Sequence, residues 1–143
     1  MIKKILKLVL PNFFLKIYKN LSLKIKRNKF SKMTTKEVFK EIYEKKLWSP
    51  EVEKKKFKFY SGSGSHNKDF SEKYINEVSK FLITFENKPD VVDLGCGDFI
   101  IGSKLRKFCN KYVAIDIFDD LIHYNKTIYN DLNVEFKVCD ITE

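Results

Sequence analysis

The feature that most constrains the fold of this chain is a short apolar run that ends in two closely spaced glycines. Residues 91–98 read Val-Val-Asp-Leu-Gly-Cys-Gly-Asp, and Pro89 bounds the run on its N-terminal side. A four-residue apolar stretch between a proline and a glycine predicts a buried strand. Gly95 and Gly97 let the backbone turn tightly and leave it accessible to a ligand. We therefore predict a strand followed by a ligand-binding loop.

Helix and strand patterns alternate after this loop. Apolar spacing predicts helices over about 100–108 and 121–132, and a second strand over 112–115. Residues 134–138 alternate apolar and charged side chains, which predicts a third strand with one wet face, at the edge of the sheet. The β-α-β-α-β order predicts an α/β fold, a partial doubly wound (Rossmann-like) parallel sheet with an α-helical N-terminal extension.

The N-terminal third differs in composition, and we divide the chain into a basic arm (1–32), a helical lead-in (33–59) and the α/β part (60–143). The arm holds ten Lys and Arg and no acid, whereas the rest has 18 basic and 19 acidic residues. The net charge of +9 therefore belongs to the arm and does not indicate a nucleic-acid-binding domain. Apolar residues in the arm recur at helical spacing opposite lysines, which suits an anionic membrane surface or a protein partner.

The lead-in and the cysteines carry further expectations. Thr34 and Glu37 form a capping-box pattern, and a second helix is expected over about 70–85. Three cysteines without a CxxC pair, together with two histidines, exclude a zinc pattern and favour a reduced, cytoplasmic compartment. Cys109 and Cys139 are interpreted as small buried residues. No apolar run is long enough to cross a membrane, so we expect at most a peripheral position at its inner face.

Acidic side chains end all three predicted strands. Asp93 precedes Gly95, Asp116 ends the second strand, and Asp140 follows the third. Ligands of such sheets lie beyond the carboxyl ends of the strands. Asp93 would repel a pyrophosphate but suits a positively charged ligand, and Asp116 is placed to bind ribose hydroxyls. The alternative for any one of these acids is a helix cap or a turn.

These residues resemble a known family, the class I S-adenosylmethionine-dependent methyltransferases. Residues 91–98 are similar to motif I of that family, 114–117 to its second-strand acidic motif, and 139–141 to its third. The resemblance implies S-adenosylmethionine as cofactor and places these residues around it: Asp93 near the amino group, Gly95, Cys96 and Gly97 at the methionine end, Asp116 at the ribose, Ile117 on the adenine ring and Asp140 at the adenine amine.

The chain departs from the family pattern in two places. Phe99 stands where the family usually has the third glycine of its loop. The family sheet has seven strands in the order 3-2-1-4-5-7-6, and only three are predicted here. We therefore expect a methyltransferase truncated after its third strand, with a cofactor half-site and weak or no turnover alone. The alternatives are a fragment, a truncated gene product, or half of a split protein whose partner is a complementing chain.

The segment around Trp48, together with Phe59 and the loop over residues 60–66, resembles the lead-in of bacterial methyltransferases associated with surface-glycan genes. That resemblance implies methyl transfer to a hydroxyl of a glycan or other small acceptor, and a loop that folds over cofactor or acceptor. The loop comprises Tyr60, Ser61, Gly62, Ser63, Gly64, Ser65 and His66. Alternatives are a flexible linker for the loop and, for the whole chain, a non-catalytic membrane-surface or partner-binding remnant.

No residue is assigned a catalytic role from the sequence. His66 is considered as a general base for an acceptor hydroxyl, against the alternative of a surface histidine or a neighbour of a helix cap. His123 is expected to face solvent within its helix. The acceptor itself is not identified.

Overall fold

The computed structural model describes residues 20–21, 23–25 and 27–142. The chain divides into two compact units, and the boundary lies between Val38 and Phe39. Most of the predicted basic arm (1–32) lies outside the described residues. No helix among the described residues is long and apolar enough to cross a membrane.

In the first unit, residues 27–30 are helical and the predicted capping box forms. The backbone N–H of Thr34 donates to Oε2 of Glu37 at 2.8 Å, and the Glu37 N–H donates to Oγ1 of Thr34 at 3.3 Å. Each side chain therefore satisfies a backbone donor at the start of the helix that follows.

The order of elements follows the sequence patterns. From Thr35 onward the helices are α1 (Thr35–Glu44), α2 (Ser63–His66), α3 (Lys68–Leu82), α4 (Gly102–Leu105) and α5 (Asp119–Ile128), with a 3₁₀ turn over Arg106–Phe108. The strands are β1 (Val91–Leu94), β2 (Tyr112–Asp116) and β3 (Glu135–Val138). The side chain of Asn67 caps α3 by accepting the N–H groups of Asp69 and Phe70.

The three strands form one parallel sheet in the order β1-β2-β3 within the described part of the chain. Leu94 pairs with Ile115, and Asp116 pairs with Val138, so the carboxyl ends of the strands lie side by side. The predicted β-α-β-α-β order and the parallel sheet are confirmed. The position of β3 at an edge is confirmed as well.

The alternation predicted for the third strand holds at its centre only. Phe136 is buried, and Glu135 and Lys137 form an ion pair at 2.9 Å on the wet face. Val138 is exposed, although the alternating pattern predicted it on the covered side with Phe136. The last strand residue lies at the end of an edge strand, where little packs over it.

The core lies on the sheet face that carries Tyr112, Ala114 and Phe136. Phe99 is fully buried at its centre, and apolar side chains from α3, α4 and α5 complete it. On the opposite face of β1, Val92 and Leu94 are 58% and 60% exposed. A second cluster, at the carboxyl end of β2, comprises Tyr43, Phe59, Phe118 and Leu121.

Candidate functional site

The candidate site lies at the carboxyl ends of the strands, around the glycine loop (Gly95–Asp98). The backbone N–H groups of Gly95 and Cys96 both donate to the carbonyl of Ile115 at 2.8 Å. The N–H of Cys139 in turn donates to the carbonyl of Asp116 at 3.1 Å. These bonds continue the sheet beyond its last paired residues, so the loop and the two later strand ends adjoin.

Gly97 is enclosed by the protein, because other residues occupy its N–H, its carbonyl and the space where a Cβ would stand. Its N–H donates to Oδ2 of Asp116 at 3.0 Å, and its carbonyl accepts Nδ2 of Asn125 at 2.7 Å. Its φ is +56°, and a Cβ there would overlap the side chain of Ser61, whose own Cβ would lie at 2.8 Å. Gly97 is therefore required by the packing of the loop, whatever a ligand adds.

Gly95 has the opposite surroundings. Its φ is +77°, so it also adopts the left-handed conformation, but no atom lies within 4 Å of where a Cβ would stand. The residue is exposed. Of the two glycines predicted to line a cofactor, Gly95 is the one whose backbone a ligand can approach.

Asp116 is buried, with 7% of the residue exposed. Oδ2 accepts the N–H of Gly97, and Oδ1 accepts the N–H of Phe118 at 3.1 Å. Burial raises the pKa of the carboxyl, although backbone hydrogen bonds from Phe118, Gly97 and Ile117 act against that shift. The carboxylate thus joins the glycine loop to the turn after β2. Backbone donors thus take up part of its acceptor capacity, and a further donor would have to reach a nearly enclosed group.

Asp93 is half-buried, and its Oδ2 accepts the hydroxyl of Tyr112 at 3.0 Å. Burial raises the pKa of the carboxyl, and the negative charge of Asp116 raises it further, while the Tyr112 hydrogen bond lowers it. A cation beside Asp93 would therefore stabilise a charge that the protein leaves poorly compensated.

Replacement of Asp93 with asparagine tests this description. Because folding raises the pKa, the folded chain keeps this proton to higher pH than the unfolded chain does. The contribution of Asp93 to stability therefore falls as the pH rises from the ordinary carboxyl range through the raised pKa. Asparagine keeps an oxygen for Tyr112 but has no charge. We expect Asp93→Asn to be as stable as the wild type or more stable at pH 7.

Chemical denaturation at several pH values between 4 and 7 measures this effect. The loss of stability as the pH rises over that range should be smaller in the variant than in the wild type. The variant lacks the Asp93 carboxyl, whose deprotonation destabilises the folded chain. A variant clearly less stable than the wild type at pH 7 would contradict the assignment.

The other residues predicted around a cofactor differ in accessibility. Cys96 is half-buried, and burial together with the charge of Asp116 raises the pKa of its thiol, so the thiol stays protonated at neutral pH. Ile117 is buried. Asp140 is half-buried, and its Oδ1 accepts the Thr142 hydroxyl at 2.6 Å and the Thr142 N–H at 2.9 Å, which lowers its pKa.

The serine-glycine segment (Tyr60–His66) contacts the glycine loop directly. The N–H of Asp98 donates to Oγ of Ser61 at 2.6 Å, and the N–H of Ser61 donates to Oδ2 of Asp98 at 3.2 Å. Nε2 of His66 lies 2.5 Å from the same Oδ2. The hydroxyl of Tyr43 lies 3.3 Å from Oγ of Ser61. A flexible linker would make no such set of contacts, so the segment is an ordered part of the structure around the glycine loop.

The remaining residues of the segment surround these contacts or project from them. The Tyr60 ring is buried and stacks on His66 at 4.0 Å, and Phe57 meets the imidazole edge-on at 4.6 Å. Gly62 and Ser65 are half-buried, and Ser63 and Gly64 are exposed.

Two residues central to this site were not among those predicted to bind a ligand. Asp98 follows the second glycine directly, so its position was a signal that could have been used. Asn125 lies in α5, is fully buried, and leaves its Oδ1 without a hydrogen-bond partner. No local pattern marks it, because its contact with Gly97 spans 28 residues of sequence.

The cysteine and histidine predictions have mixed outcomes. Cys109 is buried as predicted, and His123 is exposed as predicted. The prediction for Cys139 is wrong, because this residue is exposed just beyond the edge strand β3. Among the described residues, no cluster of three His, Cys, Asp or Glu side chains could hold a metal ion.

Comparison with known proteins does not assign the chain to a family. No protein-family model matches the sequence, and no curated protein matches it significantly.

Proposed function

We infer that this chain carries the cofactor-binding part of an S-adenosylmethionine-dependent methyltransferase, which transfers a methyl group to a hydroxyl of a glycan or other small acceptor. One observation carries the proposal: Asp93 in β1, Asp116 at the end of β2 and Asp140 just after β3 lie at the carboxyl ends of three adjacent parallel strands, beside an open glycine. The order β1-β2-β3 agrees with the 3-2-1 part of the family's sheet.

The residues present fit such a cofactor at its methionine end. Gly95 leaves the backbone open to a ligand, and the neighbouring Asp93 has a carboxylate whose charge an ammonium group would stabilise. The ribose end fits less directly, since Asp116 already accepts two backbone N–H groups. Binding there adds hydroxyl donors to a carboxylate that keeps its backbone bonds.

The cofactor, when bound, supplies a methyl group on a positively charged sulfur. The chain's contribution is to bind and orient it, because a displacement at that methyl group depends chiefly on proximity and alignment. Asp93 would hold the amino group, and the glycine loop would hold the methionine end. No side chain is assigned the removal of the acceptor proton.

Calorimetric titration with S-adenosylhomocysteine tests the proposal. We expect saturable binding by the wild-type chain and at least about tenfold weaker binding by Asp93→Asn, because loss of a charge-assisted hydrogen bond costs that much or more. Asp93→Asn is the preferred variant since it should keep its stability, whereas Asp116→Ala would leave two buried N–H groups without partners.

Asp131→Asn is the matched control, because Asp131 is an exposed aspartate outside the site. It should bind as the wild type does. A wild-type chain that is folded by circular dichroism and does not bind S-adenosylhomocysteine would contradict the proposal. Equal affinity of the wild type and Asp93→Asn would remove Asp93 from the site.

A second function, non-catalytic binding to a membrane surface or a protein partner, has one observation in its favour. Leu21 and Ile25 lie one helical turn apart and are mostly exposed, and Lys24 and Arg27 lie beside them. Salt-sensitive binding to anionic vesicles that requires residues 1–32, without affinity for S-adenosylhomocysteine, would favour this function over the first.

A further inference from the structure

Asp98 is the point at which the serine-glycine segment is attached to the glycine loop. Its N–H and its Oδ2 both bond to Ser61, and the same Oδ2 accepts His66. Its carbonyl accepts the hydroxyl of Tyr129 at 3.2 Å. The N–H, the carbonyl and Oδ2 of Asp98 are thus all engaged. We refer to Ser61, His66 and Asp98 together as the clasp.

The clasp is built from groups that are costly to bury unless they are paired. The side chains of His66 and Asp98 are only 7% and 9% exposed. A carboxylate removed from water to this extent depends on its hydrogen-bond donors, and here the donors are the Ser61 N–H and the His66 ring. Removal of His66 would therefore leave Asp98 buried with one donor fewer.

Packing holds the clasp in one arrangement. The stacked Tyr60 ring and the edge-on Phe57 ring fix the orientation of the His66 imidazole. The side chain of Ser61 occupies the space beside Gly97 that a Cβ would need. The segment and the loop therefore fit each other sterically as well as through hydrogen bonds.

The glycine loop is consequently held from two directions. At its start, the N–H groups of Gly95 and Cys96 bond to Ile115 of β2. At its end, Asp98 bonds to the serine-glycine segment. The open backbone of Gly95 belongs to the first attachment and is joined to the second through Cys96 and Gly97, so release of the second attachment alters the surface that a ligand meets.

We propose that Ser61, His66 and Asp98 are positioning residues for the cofactor. They hold the glycine loop in the shape that receives the methionine end of the ligand, and so make ligand affinity depend on an earlier segment whose contacts with Asp98 span 32 and 37 residues of sequence. This inference rests on the proposed function. It assigns the serine-glycine segment a positioning task, which does not require it to touch the cofactor.

Two measurements on the same variants test the clasp. Amide hydrogen exchange followed by NMR reports the state of the clasp without any ligand, through the N–H groups of Ser61 and Asp98. Calorimetric titration with S-adenosylhomocysteine reports affinity. The variants are His66→Ala, which removes the donor, and His66→Gln, whose Nε2 can occupy the place of the imidazole Nε2. His123→Ala, at an exposed histidine in α5, is the control.

In His66→Ala we expect exchange at Ser61 and Asp98 to accelerate at least about tenfold, because a buried charge-assisted hydrogen bond is lost. Exchange at Gly95 and Cys96 should stay unchanged, since these amides bond to Ile115. Affinity for S-adenosylhomocysteine should fall about tenfold or more. His66→Gln should recover much of both effects, and His123→Ala should show neither.

The outcomes separate the clasp from the proposed function. Absence of binding by the wild type would overturn the proposed function and the positioning role together. Binding by the wild type with unchanged affinity in His66→Ala would overturn the clasp and leave the function intact. Faster exchange throughout β2 as well would show that His66 contributes only to overall stability, which also contradicts the proposal.

Discussion

Replacement of Phe99 with alanine is expected to lower the free energy of unfolding by about 3–5 kcal/mol, the range for removing a buried aromatic ring. Phe99 is 0% exposed and meets the rings of Tyr112, Tyr129 and Phe136 edge-on at 4.9–5.4 Å. Its ring also lies where a Cβ on Gly102 would stand. The side chains around Phe99 come from several elements, so they cannot easily move together to fill the cavity that alanine would leave.

Glycine at the same position should be less harmful than alanine, which reverses the usual order. The φ of Phe99 is +60°, a conformation that costs a residue with a Cβ about 1–2 kcal/mol relative to glycine. Phe99→Gly should therefore retain about 1 kcal/mol more stability than Phe99→Ala, after allowance for the greater freedom of unfolded glycine.

Urea denaturation of both variants and of Phe70→Ala measures these differences. Phe70 is mostly exposed on α3, so its replacement should change stability by less than about 0.5 kcal/mol. A Phe99→Ala variant that loses less than about 1 kcal/mol would contradict a core centred on this ring. A Phe99→Gly variant less stable than Phe99→Ala would contradict the left-handed backbone.

Replacement of Gly97 with alanine is expected to cost about 2–5 kcal/mol. The left-handed backbone contributes about 1–2 kcal/mol, and overlap of the new methyl group with Ser61 contributes a further 1–3 kcal/mol. Gly95→Ala is the matched comparison, because Gly95 has a similar φ with open space around it. It should cost only the backbone contribution, about 1–2 kcal/mol.

The overlap with Ser61 can be isolated with a double variant. Ser61→Gly removes the two side-chain atoms that a Cβ on Gly97 would meet first. In that background Gly97→Ala should cost about as much as Gly95→Ala does in the wild type. A double-mutant cycle from denaturation curves should therefore give a coupling of about 1 kcal/mol or more. Strictly additive effects would show that the segment does not pack on Gly97.

The pair of glycine variants also separates packing from binding. Gly95→Ala places a methyl group in the open space beside the loop, so it should weaken S-adenosylhomocysteine binding more than its modest loss of stability accounts for. Gly97→Ala should weaken binding only to the extent that it distorts the glycine loop. This contrast could not have been drawn from the glycine spacing, which presents the two residues as equivalent.

Much of the fold could be predicted because its signals are local. The capping box at Thr34, the apolar run before Gly95 and the alternation around Phe136 each lie within a few residues. The observed helix Lys68–Leu82 matches the expected one closely. The helix after the glycine loop is shorter than predicted, because the left-handed Phe99 delays its start to Gly102 and a 3₁₀ turn ends it.

The solvent exposure of side chains was harder to predict than the order of strands and helices. Cys139 is small and apolar enough to be buried, and Val138 has the periodicity of a covered residue. Both are exposed, because they lie at the end of an edge strand with little packed over them. Local pattern specifies which way a strand residue faces, but the amount of protein over that face depends on the whole fold.

The sequence by itself determined the order of strands and helices, the parallel sheet and the placing of three acids at the carboxyl ends of the strands. Periodicity and strand-ending residues are properties of short segments. Only the tertiary structure decided that Gly97 is enclosed while Gly95 is open, that Asp116 is occupied by backbone donors, and that Asp98 receives Ser61 and His66. Apart from the Phe118 N–H on Asp116, those contacts join residues 19–37 positions apart. Hydrogen bonds and steric fit between such distant segments leave no mark in either segment alone.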